Sequence, residues 1–218
     1  MATTTPPVEL LQQSFCERFE LREADASERP VLQSFIQRCF HASHGARIEH
    51  FLPRLLGLHN RAGDLVAAFG MRSADQGPLF LENYLDAPIE TMLRARFGQR
   101  IRRENIIEVG NLSATHAGAT RWLILAITLM LHQQRHRWIT FTATGVVRNA
   151  LLRLGLQPVE LAPAALSRLP VHEQGHWGDY YRQAPVVMTG DMEYGFRALT
   201  ANESLMRLLG AGVEGAAA

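Results

Sequence analysis

From Ile106 to Asn149 the chain reads as strand, small-residue turn, helix, strand and the start of another helix. The first strand runs Ile106-Ile107-Glu108-Val109-Gly110-Asn111-Leu112-Ser113-Ala114, and the turn is Thr115-His116-Ala117-Gly118-Ala119-Thr120-Arg121. The helix is expected to begin at about Thr120. This order commits the chain to an α/β arrangement. A small-residue turn that opens a helix also presents backbone N–H groups at the positive end of the helix dipole, which makes a ready anion site. It points to a phosphate-bearing donor. The carboxylate of Glu108 lies just upstream, within reach of any chemistry there.

The flanking segments fill in the α/β order. Phe19-Glu20-Leu21-Arg22 alternates as a strand does. Ser27 is expected to cap a helix over Arg29 to His41, with Val31, Leu32, Phe35, Ile36 and Cys39 on one face. Arg47 to Phe51 is a short separate segment. Arg54 to His59 and Leu65 to Arg72 are strands joined by the turn Asn60-Arg61-Ala62-Gly63-Asp64. Leu79 to Leu93 is ambiguous, with a strand-like beginning, and a helix is expected over Ile89 to Phe97. After the helix Thr120 to Gln134 come the strand Trp138 to Ala143 and a helix Val146 to Leu154, ended by Gly155. Leu156 to Leu161 is a strand, Ala162 to Tyr181 a loop with Pro and Gly, Pro185 to Thr189 the last strand, and Leu205 to Leu209 a small terminal helix. This gives an N-terminal extension at 1–17, one mixed-sheet domain at 18–200 and a Gly/Ala-rich tail at 201–218.

Several function classes drop away. A net charge of +1 gives no bulk attraction for nucleic acid. The longest apolar run, Trp122 to Leu131 with Thr128 inside it, is about half of what spans a bilayer. Met1 to Pro7 lacks the basic start and apolar run of a secretory signal. Cys16 and Cys39 form no metal framework and fit a reducing, cytoplasmic compartment. His41, His44 and His50 match no familiar ligand spacing, and His132 and His136 share a helix face without an intervening Glu. No metal is expected.

The element order, with a small-residue turn after the fourth strand, resembles the fold of GNAT-type N-acyltransferases. His116-Ala117-Gly118-Ala119 resembles that family's pyrophosphate loop, and Asn149-Ala150-Leu151-Leu152-Arg153-Leu154-Gly155 its asparagine-to-glycine motif. Leu81-Glu82-Asn83-Tyr84-Leu85, Glu108-Val109-Gly110-Asn111-Leu112-Ser113 and Trp177-Gly178-Asp179-Tyr180-Tyr181 resemble segments of the bacterial thermostable hemolysins. The Glu108 strand is also similar to that of acyl-homoserine-lactone synthases and long-chain N-acyl amino acid synthases, which take acyl groups from acyl carrier protein. Those enzymes carry arginine three residues after the glutamate, where this chain has Asn111. That departure argues against an S-adenosylmethionine acceptor.

The resemblance implies a mostly antiparallel GNAT-like sheet flanked by helices. It implies an acyltransferase that moves a fatty acyl group from acyl-CoA, or from the phosphopantetheine of acyl carrier protein, to a small amine such as an amino acid. Ala117, Gly118, Ala119, Thr120 and Arg121 would cradle phosphate beside His116. The pantetheine arm would lie along Leu112, Ser113 and Ala114, where a bulge at Gly110 splays the strand from its neighbour. Glu108, or Glu82 with Tyr84 beside it, would accept the amine proton, and Asn149 would hold a water or the leaving thiol. Asn111, Thr142, Trp177 and Tyr180 would bind substrate, with Trp177 and Tyr180 or Tyr181 lining an acyl tunnel unless they simply pack a loop. The cluster Arg94, Arg96, Arg100, Arg102 and Arg103 would suit an acidic carrier protein. Plainer roles compete with these: a salt bridge at Glu108, an exposed strand end at Glu82, a helix cap at Asn149. Two other function classes compete as well, a membrane-active protein and an acyl-binding fold without catalysis.

Overall fold

Turn chemistry at residues 60–64 starts the sheet. Asn60 Oδ1 accepts the Asp64 N–H at 2.9 Å, and Gly63 supplies a φ of +85°. In the computed structural model of the protein, described over residues 7–203 and at Leu205, this turn joins β2 (Arg54–Asn60) to β3 (Leu65–Ser73). The other strands are β1 (Phe19–Glu23), β4 (Ile106–Ala114), β5 (Trp138–Ala143), β6 (Val159–Pro163) and β7 (Val186–Asp191). They form one sheet in the order β1-β2-β3-β4-β5-β7-β6. Every pairing is antiparallel except β4 with β5. That pair is parallel because α4 (Ala117–Gln133) carries the chain back between them.

Strand alternation sorts the side chains between two faces. Phe69, Met71, Ile107 and Val109 pack with α4, and with Leu11 and Phe15 of α1 (Pro7–Cys16). The same core takes Leu151 of α5 (Gly145–Arg153) and Leu199 of α7 (Met192–Thr200). On the other face Ala68 meets Leu32, Phe35 and Ile36 of α2 (Arg29–His44). Ile106 joins Ile89 and Leu93 of α3 (Ile89–Phe97). Glu108 is two residues from Ile106 and so points to this second face.

Several boundaries differ from those read in the sequence. α1 has no counterpart there. α2 continues to His44 and stops at Gly45 in the left-handed region. Residues 47–51 form no regular element, and the start of the 79–93 stretch is a 3-10 helix over Phe80–Tyr84 rather than a strand. α4 begins at Ala117, three residues early. β6 starts at Val159, and Leu156 instead packs into the α4 core. Short helical turns, among them α6 (Val171–Gln174), interrupt the expected 162–181 loop. Of the terminal helix expected over Leu205 to Leu209, only Leu205 falls within the described residues.

One loop is pinned to the end of α2. The Asp179 N–H donates to the His44 carbonyl at 2.7 Å, and the Arg47 N–H to the His176 carbonyl at 2.6 Å. Between them Gly178 has a φ of +51°, and a Cβ there would collide with the His44 carbonyl oxygen. Gly178→Ala should therefore cost about 2 kcal/mol in urea unfolding through backbone strain. A loss below about 0.5 kcal/mol would show that the loop can lift away freely.

Candidate functional site

The site begins where the sheet splits. β4 and β5 are in register only from Ile106 opposite Trp138 to Val109 opposite Phe141. Toward β3, the register passes from Gly110 opposite Gly70 to Ser113 opposite Ala68. Asn111 and Leu112 thus share one partner position, which is a β-bulge. It lies one residue beyond the glycine from which it was expected. Asn111 takes a φ of +53°, which asparagine tolerates better than most residues. Its Oδ1 accepts the Leu52 N–H at 3.0 Å and its Nδ2 donates to the His50 carbonyl at 3.1 Å. The side chain expected to meet substrate is thus a clip that fixes the bulge. Gly70 makes room for it, since a Cβ there would lie 2.8 Å from Asn111 Oδ1.

The split opens into two cavities. One, of about 790 Å³, lies on the Glu108 face and is bordered by β4 from Glu108 to Leu112, by Thr142, Thr144 and Val147, and by aromatic rings. The other, of about 670 Å³, lies on the α4 face among Ile124, Ile127, Phe141, Leu151 and Met192, and is almost wholly apolar. Val109, Leu112 and Val147 border both.

Glu108 stands at the inner wall of the first cavity, 3% exposed. Its Oε1 accepts the Leu81 N–H at 2.8 Å and its Oε2 the Phe80 N–H at 2.9 Å. Burial raises its pKa to about 7, against the lowering effect of these two amides and of Arg72. A carboxyl that titrates near neutrality in a cavity can accept a proton from an incoming group. Arg72 sits opposite Glu108 on β3, but its Nη2 donates to the Gln76 carbonyl at 3.0 Å.

Glu82 does not share this cavity. It accepts the Leu79 and Ile89 N–H groups, each at 2.8 Å, and Arg103 Nη1 at 2.7 Å. Burial alone would push its carboxyl up, but Arg103 and these amides hold it below the ordinary range. It is an ion-pair anchor, not a second base beside Glu108. Tyr84 does line the cavity, with its hydroxyl 2.5 Å from that of Tyr181. Burial drives the Tyr84 pKa far upward, so the hydroxyl stays protonated.

Trp177, Tyr180 and Thr142 also line this cavity, and Trp177 and Tyr180 do not border the apolar one. Phe40, His44, His50 and Phe80 join them, none of which the sequence reading selected. Asn149 is exposed on α5 and borders neither cavity. Ser113 is buried, and its hydroxyl donates to the Asn111 carbonyl.

The turn after β4 differs in detail from a full cradle. His116 is the N-cap of α4, and its Nδ1 accepts the Ala119 N–H at 3.2 Å. The Thr120 N–H goes to the His116 carbonyl. Ala117 and Gly118 keep the N–H groups that no protein acceptor takes among the described residues. Arg121 lines a neighbouring recess with Arg153.

The arginine cluster lies elsewhere. Phe97 at the end of α3 packs on Trp138, with ring centroids 4.5 Å apart, beside the starts of β4 and β5. The turn is at the far end of β4, about 26 Å away at strand rise. Arg103 is tied to Glu82 and Glu90, and Arg102 to Glu104. The sequence also carries His172-Glu173-Gln174-Gly175-His176, a zinc-peptidase spacing when it lies on one helix. α6 ends at Gln174, so the two histidines do not share a helix face. No group of three His, Cys, Asp or Glu side chains is placed to hold a metal ion among the described residues.

A split β4–β5 pair, a bulge on β4 and a helix starting just past it define a GNAT-like fold. FeeM, an N-acyl amino acid synthase from uncultured soil microbes, shares it at a TM-score of 0.55 and 14% identity, over 82% of this chain and 93% of its own. The acyl-homoserine-lactone synthase LasI matches at 0.52 and 12% identity, over 81% and 91%. TofI in its apo form matches at 0.55 and 12%, over 85% and 99%. The chain belongs to the thermostable hemolysin family, which matches residues 22–196. No curated protein matches the chain in sequence.

Proposed function

We propose that the chain is an N-acyltransferase that moves a fatty acyl group from a pantetheine thioester to a small amine, by direct attack in a ternary complex. The observation that carries this reading is the split between β4 and β5, with the Glu108 carboxyl on one side and an apolar cavity on the other. The donor arm lies along Leu112 to Ala114, where the edge of β4 facing β5 has no strand partner. A backbone N–H near Leu112 polarises the thioester carbonyl. The acyl chain passes Val147 into the apolar cavity, and the amine approaches from the aromatic side.

The ammonium gives one proton to Glu108. The free amine attacks the carbonyl carbon, a C–N bond forms and the C–S bond breaks. The thiolate leaves with the second amine proton, and Glu108 returns its proton to water. Ala117 and Gly118 offer two free N–H groups, which suits the single phosphate of phosphopantetheine better than a pyrophosphate. A carrier protein would then dock near the turn, beside Arg121 and Arg153, and not at Arg94 to Arg103. A long-chain N-acyl product is an amphiphile, and such a product would lyse cells without a pore.

The test is thiol release from long-chain acyl carrier protein and acyl-CoA, with and without amines, and mass detection of the N-acyl product. All 22 basic residues counted as Lys plus Arg are arginines. With no lysine in the chain to acylate, multiple-turnover release from acyl-CoA without added amine reports hydrolysis. Release that no amine accelerates would overturn the proposal. Val147→Trp, which narrows the passage, should lower kcat/KM for dodecanoyl donors at least about tenfold while butyryl donors stay within about threefold. Equal losses for both would show that the chain lies elsewhere.

A further inference from the structure

The charges around the aromatic cavity are one-sided. Glu108 is the only Asp, Glu or Arg among the described residues that border it. The recess next to it shares His50 and Trp177 and adds Glu49, Glu173, His172 and His176, again without an arginine. The chain has no lysine to reach in. Arg72 is the arginine in register with Glu108, and its charge is felt by Glu108 and His50, but its Nη2 is bonded to the Gln76 carbonyl and it borders neither space.

The two bordering imidazoles do not replace a cation. His44 Nδ1 is 3.1 Å from Gln183 Nε2, and its ring stands edge-on to Tyr180 at 5.2 Å. His50 stacks on Phe80 at 4.7 Å. Partial burial lowers both pKa values, so both rings are neutral at pH 7.

The remaining wall is aromatic. Trp177 lies 5.9 Å from Phe80 and 5.4 Å from Tyr180, centroid to centroid. Ring faces attract a desolvated ammonium. Phe80 ties the wall to the base, because its N–H holds Glu108 Oε2 while its ring borders the cavity.

We infer that this cavity takes a cationic amine that carries no carboxylate, such as an aryl-alkyl amine, and rejects the corresponding α-amino acid. A bound amino acid would leave its carboxylate desolvated, without a cation, in a space that already holds Glu108. An ammonium on an apolar body meets the rings and one carboxylate and leaves nothing unpaired. The inference rests on the acyltransferase reading for what the amine is used for, but not for its binding.

Matched pairs isolate the carboxylate: phenethylamine against phenylalanine, and tyramine against tyrosine, with the intact protein. Binding is followed without donor by calorimetry and by Trp fluorescence, and turnover by thiol release with a saturating acyl donor. The amine of each pair should bind at least about tenfold more tightly and show at least about tenfold higher kcat/KM. Trp177→Leu should weaken amine binding while leaving donor affinity within about twofold. Amino acids bound or used as well as their amines would overturn the inference and leave the acyltransferase reading standing. Amine-selective binding with no thiol release from any donor would uphold the inference and sink that reading. Binding of neither member would overturn the inference.

Discussion

Glu108→Gln should lower kcat roughly 100- to 1,000-fold while KM for the thioester donor changes less than about threefold. The side chain keeps its shape, so the donor path along β4 is untouched. What is lost is the proposed acceptor of the amine proton, together with one acceptor for the Phe80 or Leu81 N–H, because an amide NH2 only donates. The pH profile separates this role from a structural one. With a pKa of about 7, the wild-type rate should rise through neutrality as Glu108 ionises, and the variant should lose that limb.

Stability should follow the same titration with the opposite sign. The folded carboxyl holds its proton to about pH 7, whereas the ordinary value is 4.5. The folded state therefore binds more protons between these values, and the Glu108 contribution to stability falls as pH rises from 4.5 to 7. Above that range it is constant. The Glu108→Gln substitution removes this slope. A variant that keeps kcat and the pH limb, but unfolds more readily, would reduce Glu108 to an anchor for the Phe80 and Leu81 amides.

Arg103→Ala should be among the most destabilising single changes outside the core, at about 3 kcal/mol in urea unfolding. Its guanidinium bonds Glu82 and Glu90 and the Ala74 and Gly77 carbonyls. Its side chain is 26% exposed, against 15% for Glu82 and 24% for Glu90, so removal leaves two poorly hydrated carboxylates facing each other. Glu82 also holds the Leu79 and Ile89 amides at either end of the 80–84 turn. That turn presents its own amides to Glu108. Part of the loss should appear as a lower kcat, even where the variant is fully folded. A loss below about 1 kcal/mol would mean that water screens the network as it screens surface pairs.

What the sequence reveals here is what depends on neighbours in the chain. The run from Ile106 to Ala143 is legible because side-chain periodicity and small-residue turns act locally. The start of α4 is misjudged by three residues because an imidazole, not a hydroxyl or carboxyl side chain, caps it. Glu108 can be singled out because a carboxyl on a central strand calls for a reason. Glu82 cannot be judged from its own surroundings, since the arginine that neutralises it comes 21 residues later. Asn111 borders the cavity, but its part in fixing the bulge is not legible along the chain, because its partners Leu52 and His50 are 59 and 61 residues away. The aromatic wall joins α2, the 80–84 turn and the 176–180 loop, and no pattern along the chain announces their meeting.

The four register pairs that join β4 to β5 make the sheet a hinged structure, with β1 to β4 as one leaf and β5 to β7 as the other. An open sheet edge usually invites another molecule to pair with it. Here the edge lies inside the sheet, between the two leaves, and not at its rim. The protein can thus keep a permanently unfinished seam without the hazard of sticking to its own copies. A donor arm paired there, as proposed, would lengthen the hydrogen-bonded run across the hinge, and the stiffness of the whole sheet would then follow donor concentration.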